Sequence, residues 1–154
     1  MRLVGFDYIN PNSYFITVCT QDRAMLFGDV HGGQMRQIAA GKMLEYWWSE
    51  LPNRFPNAGV GEFIVMPDHI HGIIEINMTG NRGPDGLTSM LNWFKTMTSN
   101  AYIRNVKAGI MPGFNKRLWQ RGYYERIIRS DNERQHIALY IRQNPQQLQS
   151  RERM

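Results

Sequence analysis

At 154 residues, 42% of them hydrophobic and 20% charged, the chain is long enough for one packed core and is expected to form a single domain over residues 1–154 rather than a disordered segment. No apolar run approaches membrane-spanning length and no charged start leads into an apolar stretch, so a membrane or secreted protein is not expected and the cytoplasm is. The net charge of +5 points to a polyanionic partner, and the lone Cys19, set in an apolar run, excludes a disulfide framework and reads as a buried structural thiol.

In chain order, the turn signal Asn10-Pro11-Asn12 precedes Ser13 to Thr20, whose β-branched and aromatic residues predict a first strand. From Gln34 to Leu51 apolar positions beginning at Ile38 recur near helical spacing, which predicts a helix ended by Pro52. Gly61 to Met66 and His69 to Ile76 predict two strands joined at Pro67-Asp68, able to pair as a hairpin. Met78 to Gly86 has the Gly, Pro and Asn content of a loop and lacks the lysine and spacing of a phosphate-binding P-loop. Leu87 to Val106 carries Leu91, Phe94, Met97, Ala101 and Tyr102 at intervals of three and four and predicts a second helix. Leu118 to Ile128 predicts a fourth strand of mixed pattern, and a last helix opens at Ser130 or Asp131 as N-cap and runs to about Asn144, before Pro145.

The order β-α-β-β-α-β-α predicts an α+β fold, a ferredoxin-like split βαβ antiparallel sheet with an additional C-terminal helix. That helix places His136, Tyr140 and Asn144 on one face, able to present a hydroxyl and an amide oxygen to a common point. Tyr140 could equally be a core aromatic beside Ile137 and Ile141. On the predicted central strand His69 and His71 share one face, and two adjacent imidazoles can hold a divalent metal; the bland alternative is a pair of core histidines satisfied by backbone groups. In the last third Lys116, Arg117, Arg121, Arg126, Arg129, Arg134 and Arg142 interleave with Trp119, Tyr123, Tyr124 and Tyr140, a pattern that suits unpaired bases stacked on rings, or a solvated basic face around core aromatics.

Three separated stretches carry a resemblance to a known family: Met66-Pro67-Asp68-His69-Ile70-His71-Gly72, then Trp119-Gln120-Arg121-Gly122-Tyr123-Tyr124-Glu125-Arg126, then Tyr140-Ile141-Arg142-Gln143-Asn144-Pro145. In this order they resemble the REP-associated tyrosine transposases, a branch of the single-tyrosine HUH-type, insertion-sequence 200/605-like transposases. The resemblance implies that His69 and His71 bind the metal, that Asn144 supplies a polar third ligand and that Tyr140 is the nucleophile, with Tyr123 and Tyr124 as its competitors. It implies nicking and joining of single-stranded DNA, in hairpin-forming repeats, through a covalent 5′-phosphotyrosine and with Mg2+ or Mn2+ as cofactor. Lys95, Arg117, Arg121, Arg126 and Arg129 are the candidate phosphate contacts. His136 cannot be carried over from the family pattern. Monomer and homodimer both stay open, as does a catalytically silent protein of the same fold that binds repeat DNA. Bound to DNA, the protein would be associated with the nucleoid.

Overall fold

A computed structural model describes residues 12–31, 34–37, 39–77 and 84–153, without the side chains of 29–31, 34–37, 84–85 and 144–153. The chain runs β1 (Asn12–Cys19), a 3-10 turn (Gln21–Arg23), β2 (Gly28–His31), β3 (Gln34–Gln37), α1 (Ala39–Ser49), α2 (Leu51–Arg54), β4 (Ala58–Met66), β5 (His69–Ile76), α3 (Pro84–Lys107), β6 (Tyr124–Ile128) and α4 (Asp131–Arg153). Four strands form one sheet in the order β4-β5-β1-β6, every neighbouring pair antiparallel. This is the expected split βαβ order, with α4 added and β2 and β3 forming a separate two-stranded ribbon.

Strand alternation divides the side chains between the two sheet faces. Tyr14, Ile16 and Val18 of β1 and Ile70, Ile74 and Ile76 of β5 meet Leu44 and Trp48 of α1 and Leu91 and Phe94 of α3 in one buried cluster. On the other face Ile73 and Ile128 meet Ala138 and Ile141 of α4, with Phe15, Ile64 and Ile137 packed against them. Strand β5 is therefore covered on both sides, which explains its nearly unbroken apolar run. His69 and His71 have the parity of Ile73 and so lie on the face that α4 covers. Each fully buried Ile, Leu or Phe side chain contributes about 1.5–3 kcal/mol relative to exposure.

Several expected boundaries need correction. Gln34–Gln37 is strand, not the start of the first helix: these residues pair with Gly28–His31, and the helical apolar pattern begins only at Ile38. Pro52 does not simply end that helix but lies in the first turn of the short α2, where its missing N–H costs nothing. Strand β4 begins earlier than expected, at Ala58, and a bulge between Val60 and Phe63 absorbs the glycine-rich start. Helix α3 takes in Pro84 to Gly86, so the expected loop is shorter; its residues 78–83, like Asn10 and Pro11 of the expected first turn, lie outside the described residues. The fourth strand shrinks to Tyr124–Ile128, because Leu118 and Trp119 are core residues, Trp119 bridging only to Thr20, and Gly122 at φ 76° turns the chain between them and the strand. Helix α4 continues through Pro145 to Arg153; a proline removes one backbone bond without having to end a helix.

The start of α4 is a capping box displaced by one residue. The Glu133 N–H donates to Ser130 Oγ at 3.1 Å, which makes Ser130 the N-cap, while Glu133 Oε1 accepts from the Arg129 N–H at 3.0 Å. Loss of the cap in Ser130→Ala is expected to cost about 1 kcal/mol, seen as a melting temperature lower by roughly 2–4 °C. The Glu133 carboxyl is held below its ordinary value of 4.5 by the Arg129 N–H and by Arg126. A lowered carboxyl stabilises the fold fully above its unfolded value and loses that contribution as the pH falls through the folded one. Melting curves of Glu133→Gln are therefore expected to fall less steeply below pH 4.5 than those of the parent chain.

Candidate active site

The register of the central strands brings the site together. Thr17 of β1 lies opposite His71 of β5 on one side and opposite Tyr124 of β6 on the other, and Cys19 lies opposite His69. The imidazoles of His69 and His71 are 4.6 Å apart, centroid to centroid, at 73°. His71 stacks on Phe15 at 5.3 Å, and the Tyr140 ring meets both His71, at 5.7 Å, and Phe15, at 6.2 Å, edge to face. Tyr140 and the histidine pair thus come together within one chain.

Both rings are oriented through Nδ1. Asp68 Oδ1 stands 2.6 Å from His69 Nδ1, and because a carboxylate only accepts, that nitrogen is the donor. Thr17 Oγ1 stands 2.8 Å from His71 Nδ1, a hydroxyl able to accept its N–H. Burial, reinforced by the neighbouring His69, pushes the His71 pKa down to about 3, so its ring is neutral across the physiological range. Burial acts to raise Asp68, but hydrogen bonds from His69 and Arg23 outweigh it and hold the carboxyl at about 2. Two imidazoles with Nδ1 engaged can turn Nε2 to a divalent cation. Among the described residues no three His, Cys, Asp or Glu side chains converge on one cation position, so a third ligand would have to be of another type. Asn144 follows Tyr140 by one turn of α4, and its side chain lies outside the described residues.

Ion pairs link helix α4 to the sheet. Arg134 reaches Glu75 at 2.9 Å and Glu62 at 3.7 Å, and Arg142 reaches Glu62 at 3.4 Å. Gly61 makes room for this clamp, since a Cβ there would come within 2.9 Å of the Arg134 guanidinium. Two arginines of the basic last third are thus paired with carboxylates of the same chain, beside the apolar contacts that seat α4 on the sheet.

The other expected residues fall elsewhere. Lys95 is half-buried and donates through Nζ to the carbonyls of Gln120 and Gly122; with Arg117 and Arg121 it lines an open groove of about 560 Å3 between α3 and the 117–122 segment. Arg126 pairs with Glu133 at 2.9 Å, and with Arg129 it lines a second concavity that includes Tyr14 and Tyr123. The Tyr123 hydroxyl meets Thr88 Oγ1 at 3.0 Å, on the α3 side of the sheet, away from the histidines. Tyr124 is 67% exposed and shares the face of His71, but the whole of β1 lies between them. His136 is exposed on α4. Cys19 is buried, and burial pushes its thiol up.

Residue patterns alone did not single out Asp68, Thr17, Phe15 or Arg23. The carboxylate immediately before His69 was a legible signal; Thr17 and Phe15 needed the strand register. Arg23 comes from a turn far away in sequence, with Nε 2.9 Å from Asp68 Oδ2.

Known proteins share this fold. The family model for IS200-like transposases matches residues 12–144. An uncharacterised protein of Haemophilus influenzae Rd is 33% identical over 156 residues, which cover 94% of this chain and 86% of that one. Among solved structures, a REP-associated tyrosine transposase bound to a REP hairpin superposes with a TM-score of 0.60 at 22% identity, covering 94% of this chain and 73% of that one. A Deinococcus radiodurans R1 protein described as a candidate transposase superposes with a TM-score of 0.57 at 17% identity, covering 92% and 96%. These two likenesses concern the fold. With a family match that runs unbroken through β1, the histidine pair and the Tyr140 turn of α4, the chain belongs to the IS200-like transposase family.

Proposed function

We propose that the 154 residues act as one metal-dependent endonuclease domain that nicks and rejoins single-stranded DNA, with Tyr140 as nucleophile. The observation that carries this is the contact of the Tyr140 ring with His71 and Phe15 inside a single chain, at 5.7 and 6.2 Å. Tyr140 accordingly serves its own chain's histidines. His69 and His71 would hold Mg2+ or Mn2+, with Asn144 as the third protein ligand, and a cation there would supply Lewis-acid polarisation of the scissile phosphate and favour the phenolate. The Tyr140 oxygen attacks phosphorus as its proton passes to solvent. The bond from phosphorus to the 3′ oxygen breaks, that oxygen takes a proton from solvent and leaves as a free 3′-hydroxyl, and a 5′-phosphotyrosine conserves the bond energy for rejoining. Hairpin-forming repeat DNA is the substrate, a reading supported by the hairpin bound to the structural neighbour.

The test is incubation of the protein with Mn2+ and a hairpin-bearing single-stranded oligonucleotide. A denaturant-stable conjugate that EDTA abolishes is expected. Absence of any conjugate, with DNA binding intact, would leave the chain a silent repeat-binding protein.

The orientation of His69 by Asp68 makes a separate prediction. Asp68→Asn replaces a charged group that can only accept with a neutral amide that can present either a donor or an acceptor to His69, and Mn2+ affinity is expected to fall by about 10–100-fold. Titration followed by electron paramagnetic resonance measures it; unchanged affinity would mean that the carboxylate is merely structural.

A further inference from the structure

Arg23 is held beside the histidine pair by backbone that residues other than glycine seldom adopt. Asp22 and Arg23 both have positive φ, 59° and 54°, in the left-handed region. The turn does not need the arginine to hold it. The fully buried Thr20 donates its N–H to the Asp68 carbonyl, its hydroxyl lies 2.9 Å from the Ala24 carbonyl and 3.1 Å from that of Asp68, the Gln21 N–H donates to the Leu118 carbonyl, and the Phe27 N–H donates to that of Pro67. An ion pair whose arginine is half exposed adds little to such a frame.

The guanidinium itself is only partly used. Its Nε edge faces Asp68 Oδ2 at 2.9 Å. Its Nη2 lies 3.5 Å from His69 Nδ1, but that nitrogen already gives its proton to Asp68 and cannot accept another. The Nη1/Nη2 fork therefore has no acceptor among the described residues, and the side chain is 53% exposed. A fork of N–H donors beside a metal-binding imidazole matches the paired oxygens of a phosphodiester, and a lysine could not span both the carboxylate and that group.

We propose that Arg23 grips a phosphate of the DNA strand at the histidine site, one edge of its guanidinium locked on Asp68 and the other on the substrate. This rests on the function proposed above and adds a substrate-binding residue to it. It also separates the site's own cation from Lys95, Arg117 and Arg121, which line a groove between α3 and the 117–122 segment.

The experiment compares the parent chain with Arg23→Gln and Arg23→Lys on the hairpin oligonucleotide in Mn2+, reading the dependence of binding on salt and the rate of conjugate formation. Loss of one phosphate contact should make the slope of log K against log salt shallower by about 0.7 in Arg23→Gln. Its conjugate rate should fall by about 100-fold. Arg23→Lys should keep the parent slope and lose about tenfold in rate. A parent-like slope in Arg23→Gln overturns the proposal even if the rate falls, since Arg23 would then act only through Asp68. A shallower slope with no conjugate from any of the three proteins upholds the phosphate contact and defeats the nicking reaction instead. Failure of the parent chain to bind the oligonucleotide defeats both.

Discussion

Tyr140→Phe is expected to lower formation of the covalent conjugate by at least about 10⁴-fold, to below detection, while Tyr123→Phe and Tyr124→Phe still form it. The substitution removes one oxygen and leaves the ring, so the edge-to-face contacts with His71 and Phe15 and the packing of α4 persist. Melting temperature, Mn2+ affinity and hairpin binding should therefore match the parent chain. Tyr123 spends its hydroxyl on Thr88, on the far side of the sheet. Tyr124 is on the correct face but is two strands from His71, about 10 Å at ordinary strand spacing. Mass spectrometry of the conjugate's tryptic peptides identifies the modified residue directly; a nucleotide on Tyr124 would move the reaction to the β6 edge.

How much of this site could be read from residues alone depends on how local the signal is. His69 to Ile76 matches the expected strand end to end, because its boundaries are a turn at Pro67-Asp68 and a run of β-branched residues. The position of Tyr140 on a helix face followed from a periodicity of a few residues. The same pattern did not say that α4 covers the second face of the sheet, where Ala138 and Ile141 pack inward. What did not follow is what distant pieces of chain do to one another. Thr17 meets His71 only because β1 and β5 pair in one register, and a shift of one residue would put Val18 or Ile16 there instead. Arg23 reaches Asp68 because a turn with two left-handed residues aims it, and neither Asp22 nor Arg23 advertises that conformation. The basic last third misled in part for the same reason: charge can be counted, but its partners cannot, and Arg134 and Arg142 belong to Glu62 and Glu75. The β2–β3 ribbon, formed by segments with no apolar alternation, was likewise invisible.

Gly72→Ala should destabilise the fold by about 2 kcal/mol, enough to lower the melting temperature by roughly 4–8 °C. Gly72 sits between His71 and Ile73 on β5, and its side of the sheet receives the indole of Trp48. A Cβ at this position would lie 2.5 and 2.6 Å from two carbons of that ring and 3.2 Å from Phe63. The indole cannot simply withdraw, since it stacks on Phe63 at 4.5 Å and meets Phe94 edge-on at 5.8 Å within the main core. The backbone of β5 must then yield, and the neighbouring residue in that backbone is His71. Conjugate formation should accordingly fall further than the unfolded fraction alone accounts for, because displacement of the strand separates His71 from Thr17 and Tyr140. Trp48→Phe replaces the indole with a smaller ring that lacks the two opposing carbons. Combined with Gly72→Ala it should be more stable than the two single changes predict by addition, and it should recover much of the lost rate. Additive losses in the double variant would mean that Gly72 matters for some property other than its contact with Trp48.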